Sequence, residues 1–113
     1  MLENIGAGIE QYMNLVSARQ KVVASNIANA DTPGYQTKDV DFDSELQSQM
    51  SGSKPSVIEV SGLKNKNDGN NVDVDREARL LAENALRFSV ASQLAHSEMS
   101  TIRTAIQEGG KTS

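Results

Sequence analysis

The chain has 113 residues, enough for one small domain or for two long helices around a short middle segment. Its net charge is -4, and no stretch concentrates the Lys and Arg that bind a phosphate backbone, so we expect no nucleic-acid binding. The chain contains no cysteine, which excludes disulfides and thiolate metal sites. No apolar run approaches the roughly 20 residues that span a bilayer, and the N-terminus lacks the features of a cleavable signal peptide, so we expect neither membrane insertion nor a cleaved signal.

The first predicted element is a long amphipathic helix from about residue 5 to residue 30. This stretch contains no proline, and its apolar residues recur at intervals of four and three, which keeps one stripe of a helix facing a partner helix. Only Gln20 interrupts the stripe. The predicted packing seam of this helix comprises Ile9, Met13, Val16, Val23 and Ile27.

A turn is predicted directly after this helix. Pro33 disfavours helical geometry at Thr32, and Gly34 tolerates the positive φ that a tight turn requires. We therefore assign residues 1–34 to an N-terminal helix and turn.

The middle segment, residues 35–72, is polar and rich in Gly, Ser, Asn and Lys. Residues 51–55 and 65–71 are typical of loops. Residues 39–42 and 57–60 contain the β-branched and alternating residues of short strands, so we expect a small β-hairpin.

The third element is a predicted helix over residues 73–108, with Asp73 or Asp75 as its N-cap and Glu77 at the positive end of the helix dipole. Gly109 and Gly110 predict its end, followed by a flexible tail over 109–113. Its residues follow a 4-3 spacing without a break, in which Ser92 is the one position that is not apolar. The predicted seam comprises Val74, Ala78, Leu81, Ala85, Phe88, Ala95, Met99, Ile102 and Ile106.

These elements predict a mainly α fold, in which two long antiparallel coiled-coil-like terminal helices are joined by a polar, partly extended middle segment. Leu80, Leu86, Val90 and Leu94 widen the apolar surface of the third element beyond one stripe. One partner helix cannot cover all of it, so we expect association with further chains.

Few residues suggest chemistry. His96 is the only histidine and has no evident partners for catalysis. Asp39, Asp41 and Asp43 alternate as in a calcium loop, but Ser44 stands where such a loop needs Gly and no Glu closes it, so we expect a solvated acidic face. We expect no catalytic residue, metal ligand or cofactor, and the pairs Arg19 with Lys21 and Arg76 with Arg79 are assigned no partner.

Residues 24–35 resemble a signature near the N-terminus of the bacterial flagellar rod and hook proteins, the axial family. Residues 38–42 and 70–77 are similar to proximal rod members of that family in particular, although the middle segment here is shorter. The residues of the matching turn motif are Asn26, Ile27, Ala28, Asn29, Ala30, Asp31, Thr32, Pro33, Gly34 and Tyr35.

The resemblance implies a non-enzymatic structural subunit of the proximal rod, the part of the basal-body shaft that transmits torque to the hook and filament. It implies self-association, contacts with other rod subunits and the export-gate adaptor, and passage through the flagellar type III export apparatus to the periplasmic rod. Asn26 and Asn29 are expected to fix the turn or contact a neighbour.

Two other functions fit the same residues. One is a different rod or hook subunit, because the turn motif is shared across the axial family, although the short length and residues 70–77 favour the proximal rod. The other is a soluble coiled-coil adaptor that binds a helical partner through its apolar seams.

Overall fold

The computed structural model describes residues 2–48 and 55–111, with side chains described for 6–48 and 55–109. The loop predicted at 51–55 therefore lies outside the described residues except for Pro55. The molecule is elongated, 73 × 25 × 17 Å. The elements in chain order are helix α1 (Leu2–Ala28), strand β1 (Lys38–Val40), helix α2 (Phe42–Gln47), strand β2 (Val57–Glu59) and helix α3 (Val74–Lys111).

The two long helices α1 and α3 lie side by side and run in opposite directions. Asn26 near the end of α1 contacts Glu77 at the start of α3, and Tyr12 contacts Arg87 further along. Close to the start of α1, a Cβ on Gly6 would stand 3.1 Å from the carboxylate of Glu98. The predicted mainly α fold with two antiparallel terminal helices is thus confirmed.

The ends of α3 differ in how well the sequence predicted them. Asp73 is the N-cap, since its Oδ1 accepts hydrogen bonds from the backbone N–H groups of Asp75 (3.1 Å) and Arg76 (3.2 Å). At the other end, Gly109 and Gly110 do not stop the helix, which continues to Lys111. Gly109 lacks the positive φ of a glycine C-cap, so the glycine permits helix termination without imposing it.

The middle segment contains the expected β-hairpin. Strands β1 and β2 pair antiparallel, with Lys38 opposite Glu59 and Val40 opposite Val57. The predicted extension of the first strand to Phe42 is wrong, because the Asp41 carbonyl accepts a hydrogen bond from the Glu45 N–H (2.9 Å) and opens α2. This short helix, which the sequence pattern did not predict, buries the Phe42 side chain.

A small apolar core lies between α1 and the middle segment. Leu15, Val16, Val40 and Phe42 form it, and the Tyr12 ring meets the Phe42 ring edge-on at 5.8 Å between centroids. The guanidinium of Arg87 lies 5.0 Å from the centroid of the Phe42 ring. Phe42 therefore contacts both long helices from the middle segment. No helix in the described part of the chain is long and apolar enough to cross a membrane.

We expect Phe42→Ala to lower the free energy of unfolding of the isolated chain by about 3 kcal/mol, because it removes a buried ring and leaves a cavity. Leu86→Ala is the matched control: Leu86 is 66% exposed, so its truncation should change stability by less than about 0.5 kcal/mol. Urea unfolding followed by circular dichroism measures both. Equal losses for the two variants would contradict this account of the core.

Candidate functional site: the junction of the terminal segments

The end of α1 is followed by a turn that packs on a second turn 35 residues further along the chain. The Thr32 N–H donates to the Asn29 carbonyl (3.0 Å), and the Gly34 N–H donates to the Asp68 carbonyl (2.9 Å). Gly34 and Gly69 have φ values of 75° and 83°, and a Cβ on Gly69 would stand 3.5 Å from the Gly34 Cα. Both glycines permit a left-handed backbone conformation at the point where the turns touch.

Asn26 lies at the centre of this region and is completely buried. Its Nδ2 donates to the Lys38 carbonyl (2.7 Å) and to Glu77 Oε2 (3.1 Å). Its Oδ1 accepts from the Lys38 N–H (3.1 Å) and from the Tyr35 hydroxyl (3.0 Å). These bonds use both donors and both acceptor positions of the amide and join α1, β1 and α3 at one side chain.

Asn70 is the second buried asparagine and connects the segment before α3 to the end of α1. Its Nδ2 donates to the carbonyls of Asn29 (2.9 Å) and Thr32 (2.8 Å), and its Oδ1 accepts from the Val72 N–H (2.8 Å). Each of these carbonyls also accepts a backbone N–H within the turn, from Thr32 (3.0 Å) and Tyr35 (3.2 Å), so Asn70 is the second donor to both.

Asn71 is the third buried asparagine, and it bonds to the residues just before β1. Its Oδ1 accepts from the Thr37 N–H (2.6 Å), and its Nδ2 donates to Gln36 Oε1 (3.0 Å). Its backbone N–H donates to the Tyr35 carbonyl (3.2 Å). Together Asn26, Asn70 and Asn71 form what we call the asparagine junction, which ties the residues after α1 to those before α3.

Four charged residues of alternating sign run along one side of the asparagine junction. Arg19 binds both carboxylate oxygens of Asp39, at 3.0 and 3.1 Å. Arg76 bridges Asp39 Oδ2 (3.1 Å) and Glu77 Oε1 (2.7 Å). Glu77 is completely buried, and its second oxygen accepts from Asn26. Each buried carboxylate therefore has charged and hydrogen-bonding partners.

This network corrects two expectations. Asp39 does not lie on a solvated acidic face with Asp41 and Asp43, because it is only 7% exposed and is paired with two arginines. Arg19 and Arg76, which the sequence left without partners, both bind it. Their sequence separations from Asp39, 20 and 37 residues, are not visible in local patterns. Within the described ranges, no group of three or more His, Asp or Glu residues is placed to hold a metal ion.

Arg87 makes a separate, more exposed contact between α1 and α3. It donates to the Tyr12 hydroxyl (3.2 Å) and to Glu83 Oε1 (2.8 Å). Both hydrogen bonds raise the pKa of Arg87 above its ordinary value, and the bond to Tyr12 contributes more than the bond to Glu83. The guanidinium is therefore charged at neutral pH.

The predicted packing seams lie partly inside the helix pair and partly on its surface. In α1, Val16 and Val23 are buried, Ile9 and Met13 are partly buried, and Ile27 is exposed. Among the described residues of α3, the buried positions are Glu77, Asn84 and Ala91, each one residue before a position of the 4-3 spacing (Ala78, Ala85 and Ser92). Of the predicted α3 seam, Ala95 and Ile102 are partly buried, and the rest are exposed: Val74, Ala78, Leu81, Ala85, Phe88, Met99 and Ile106.

Residues of both seams line one open apolar groove between the helices. Its volume is about 890 Å³, and its apolar walls include Ile9 and Met13 from α1 and Phe88, Met99 and Ile102 from α3. The two helices thus bury one face against each other and present their seams side by side. That these seams pack against other subunits stays a prediction.

The turn motif and the segment 70–77, which the sequence placed 35 or more residues apart, contact each other throughout the asparagine junction. Within the turn motif, Asn26 and Asn29 differ: among the described residues the Asn29 side chain bonds to Ser25 and Thr32 alone, both within four residues of it. The roles of Gln36 and Thr37 were missed, and the sequence offers no periodic signal that would have found them.

The comparison with known proteins adds to this geometry. A sequence profile described as "Flagella basal body rod protein" matches residues 13–36, the part of the chain that leads into the turn. The flagellar basal body rod protein FlgB of Escherichia coli (strain K12) is 31% identical, with 96% of this chain and 99% of the relative aligned.

The chain belongs to the FlgB family of flagellar basal body rod proteins. FlgB of Salmonella typhimurium is also 31% identical over 96% of this chain, and FlgB of Bacillus subtilis is 28% identical over 91% of it. As a member of the family, the chain is a structural subunit of the flagellar basal-body rod. The Escherichia coli alignment is 137 positions long, so that relative carries residues that this 113-residue chain lacks. That they fall in the middle segment stays a prediction.

We expect Asn26→Ala to destabilise the isolated chain by about 3 kcal/mol, because it leaves the buried Glu77 carboxylate and the Lys38 backbone with unpaired groups. Asn29→Ala is the matched control and should cost less than about 1 kcal/mol, since its bonds are local and exposed. Chemical denaturation measures both. A larger loss for Asn29→Ala would show that the junction does not depend on Asn26.

Asp39→Ala should destabilise the chain by roughly 2–3 kcal/mol, because the partly buried Arg19 and Arg76 lose their shared counter-charge. Glu83→Ala breaks the exposed pair with Arg87 and should cost less than about 1 kcal/mol. Thermal unfolding of the two variants side by side tests the difference. Similar melting temperatures would mean that the charge network contributes no more than a surface pair.

Proposed function

We propose that this rod subunit belongs to the proximal rod, and that the asparagine junction fixes the axial register of its terminal helices within a torque-transmitting shaft. The observation that carries the proposal is the contact of Asn26 with Glu77, which joins the two segments that match the rod family. A subunit under torque must keep α1 and α3 in fixed register. A buried polar network in which every group is paired holds this register, because sliding one helix along the other leaves several groups unpaired at once.

The surface of the helix pair supports assembly. Large apolar side chains are exposed along α3, among them Leu86, Leu94, Met99 and Ile106. Apolar surface of this extent on a small protein indicates contact with other proteins. In the proposed function these side chains become buried against other copies and other rod subunits.

The proposed binding partners and the proposed export route both follow from membership of the family. We propose contacts with other rod subunits and with the adaptor that connects the rod to the export gate. We further propose that the chain passes through the flagellar type III export apparatus to the periplasmic part of the rod. No catalytic step is part of this function.

The experiment is complementation of a strain that lacks the gene for this chain. Full-length protein should restore swimming and complete rods, whereas a chain ending at Asp73, which lacks α3, should restore neither, because α1 then has no partner for its buried face. A chain with the exposed substitution Asn67→Ala is the control for expression and should behave as the full-length protein.

Motility in soft agar and electron microscopy of purified basal bodies are the measurements. Complete rods built from the truncated chain would contradict the proposal. Protein found only in the cytosol, with intact flagella in the deletion strain, would favour the soluble adaptor instead. Location in the distal rod or hook of purified basal bodies would favour another axial position.

A further inference from the structure

The apolar groove between α1 and α3 carries negative charge only. The charged residues that line it are Glu10 from α1 and Glu98 from α3. Residues 6–17 and 88–102, which form its two walls, contain neither lysine nor arginine. The groove therefore combines apolar walls with acidic side chains from both helices.

The arginines that border these wall segments do not line the groove. Arg19 binds both carboxylate oxygens of Asp39, and Arg87 binds Glu83. Arg103 is exposed and directly follows the last wall segment. The acidic side chains of the groove thus have no cation beside them within the groove.

Glu98 lies between the two long helices. A Cβ on Gly6 would stand 3.1 Å from its Oε1, so the carboxylate rests against the α1 backbone where glycine leaves room for it. The Glu98 side chain is partly buried, and among the residues with described side chains it forms no hydrogen bond or ion pair. Its charge is therefore available to a molecule that fills the groove.

The charges disfavour a second copy of this chain as that molecule. Two grooves placed face to face would bring the glutamates of both copies together, and like charges opposed across an interface are unfavourable. A second exposed apolar surface of α3 is the row Leu86, Val90 and Leu94. Residues 83–97 around this row contain one basic residue, Arg87, which Glu83 already holds. Neither apolar surface of a second copy offers a free cation to the groove.

We propose that the groove receives an amphipathic helix of a different protein, whose lysine or arginine side chains pair with Glu98 and Glu10. The inference rests on the proposed function and deepens it by naming the chemistry of the partner. Along α3 the groove extends from Phe88 to Ile102, about 21 Å, which accommodates about 14 residues of helix, or roughly four turns. An apolar stripe packed in the groove supplies affinity, and the charge pairs supply specificity.

The first test uses the full chain and two designed peptides that carry a fluorescent label. Each peptide is a helix of about 14 residues with leucines at intervals of three and four, as helices that bind in grooves have. Lysines flank the leucines in one peptide and glutamines flank them in the other. Fluorescence anisotropy should show that the lysine peptide binds about fivefold more tightly at low salt, and that high salt reduces the difference. Equal affinities at low salt would contradict the proposal.

A pair of variants separates the groove from the general attraction of an acidic chain for a basic peptide. Glu98→Gln should weaken binding of the lysine peptide about fivefold and leave binding of the glutamine peptide unchanged. Glu108→Gln is the matched control, since it removes the same charge at an exposed position of α3 beyond the groove, and it should change neither affinity. Equal losses for the two variants would show a non-specific attraction and would overturn the proposal.

The second test asks which protein supplies the helix. Glu98→Lys places like charges against each other in the proposed contact, so swimming in soft agar should fall, whereas Glu108→Lys should swim normally. Urea unfolding of purified Glu98→Lys should match that of the unmodified chain, because the Glu98 side chain has no partner among the described side chains.

Spontaneous revertants of Glu98→Lys identify the partner. They should carry an acidic residue in place of a lysine or arginine in another basal-body protein. Restoring substitutions confined to the lysines and arginines of this chain would make a second copy the occupant and would refute the proposal.

The two proposals fail separately. If Glu98→Lys cells swim normally and build complete rods, the inference is wrong while the rod function stands. If the chain without α3 also builds complete rods, the proposed function fails as well.

Discussion

The fold depends on one buried amide. Asn26 projects from the last turn of α1 and pairs with β1, with Tyr35 and with Glu77 of α3, so a single side chain fixes the relative position of three elements. The apolar core nearby is small, and most of the large apolar residues of α3 are exposed. In this molecule hydrogen-bond geometry therefore determines the register of the long helices, and apolar burial holds the middle segment against them. We expect hydrogen bonds to fix the helix register in this way where a small chain keeps its apolar surface for association.

Much of the fold was accessible from the sequence because it follows from periodicity. The 4-3 spacing of apolar residues predicted both long helices, and the sequence narrowed the cap of α3 to Asp73 or Asp75, of which the structure shows Asp73. Residues 39–42 show the limit: their alternation predicted a strand, whereas Phe42 opens a helix because its ring is buried against Tyr12. Tertiary packing outweighs local pattern in so short a segment.

The site was accessible only in part. The turn motif and residues 70–77 were both found through their resemblance to a family, but Asn70 and Asn71 were also interpreted as part of a loop, because a run of Asn and Lys is typical of loops. Their contact with the turn motif was not predicted. Nothing in the local sequence distinguishes an asparagine whose amide makes all its hydrogen bonds within the protein from one that is exposed to solvent. The burial of Glu77 and Asp39 was equally hidden, since acidic residues near a helix start are normally exposed.

The asparagine junction lies at one end of the helix pair, and that position gives the subunit a pivot. The start of α1, Leu2, is 24 residues from Asn26, about 36 Å along the helix axis. A change of about five degrees in the crossing angle at the junction moves those distal ends apart by about 3 Å over that length. Neighbouring molecules can therefore adjust the spacing of the distal ends while the hydrogen bonds of Asn26 stay intact.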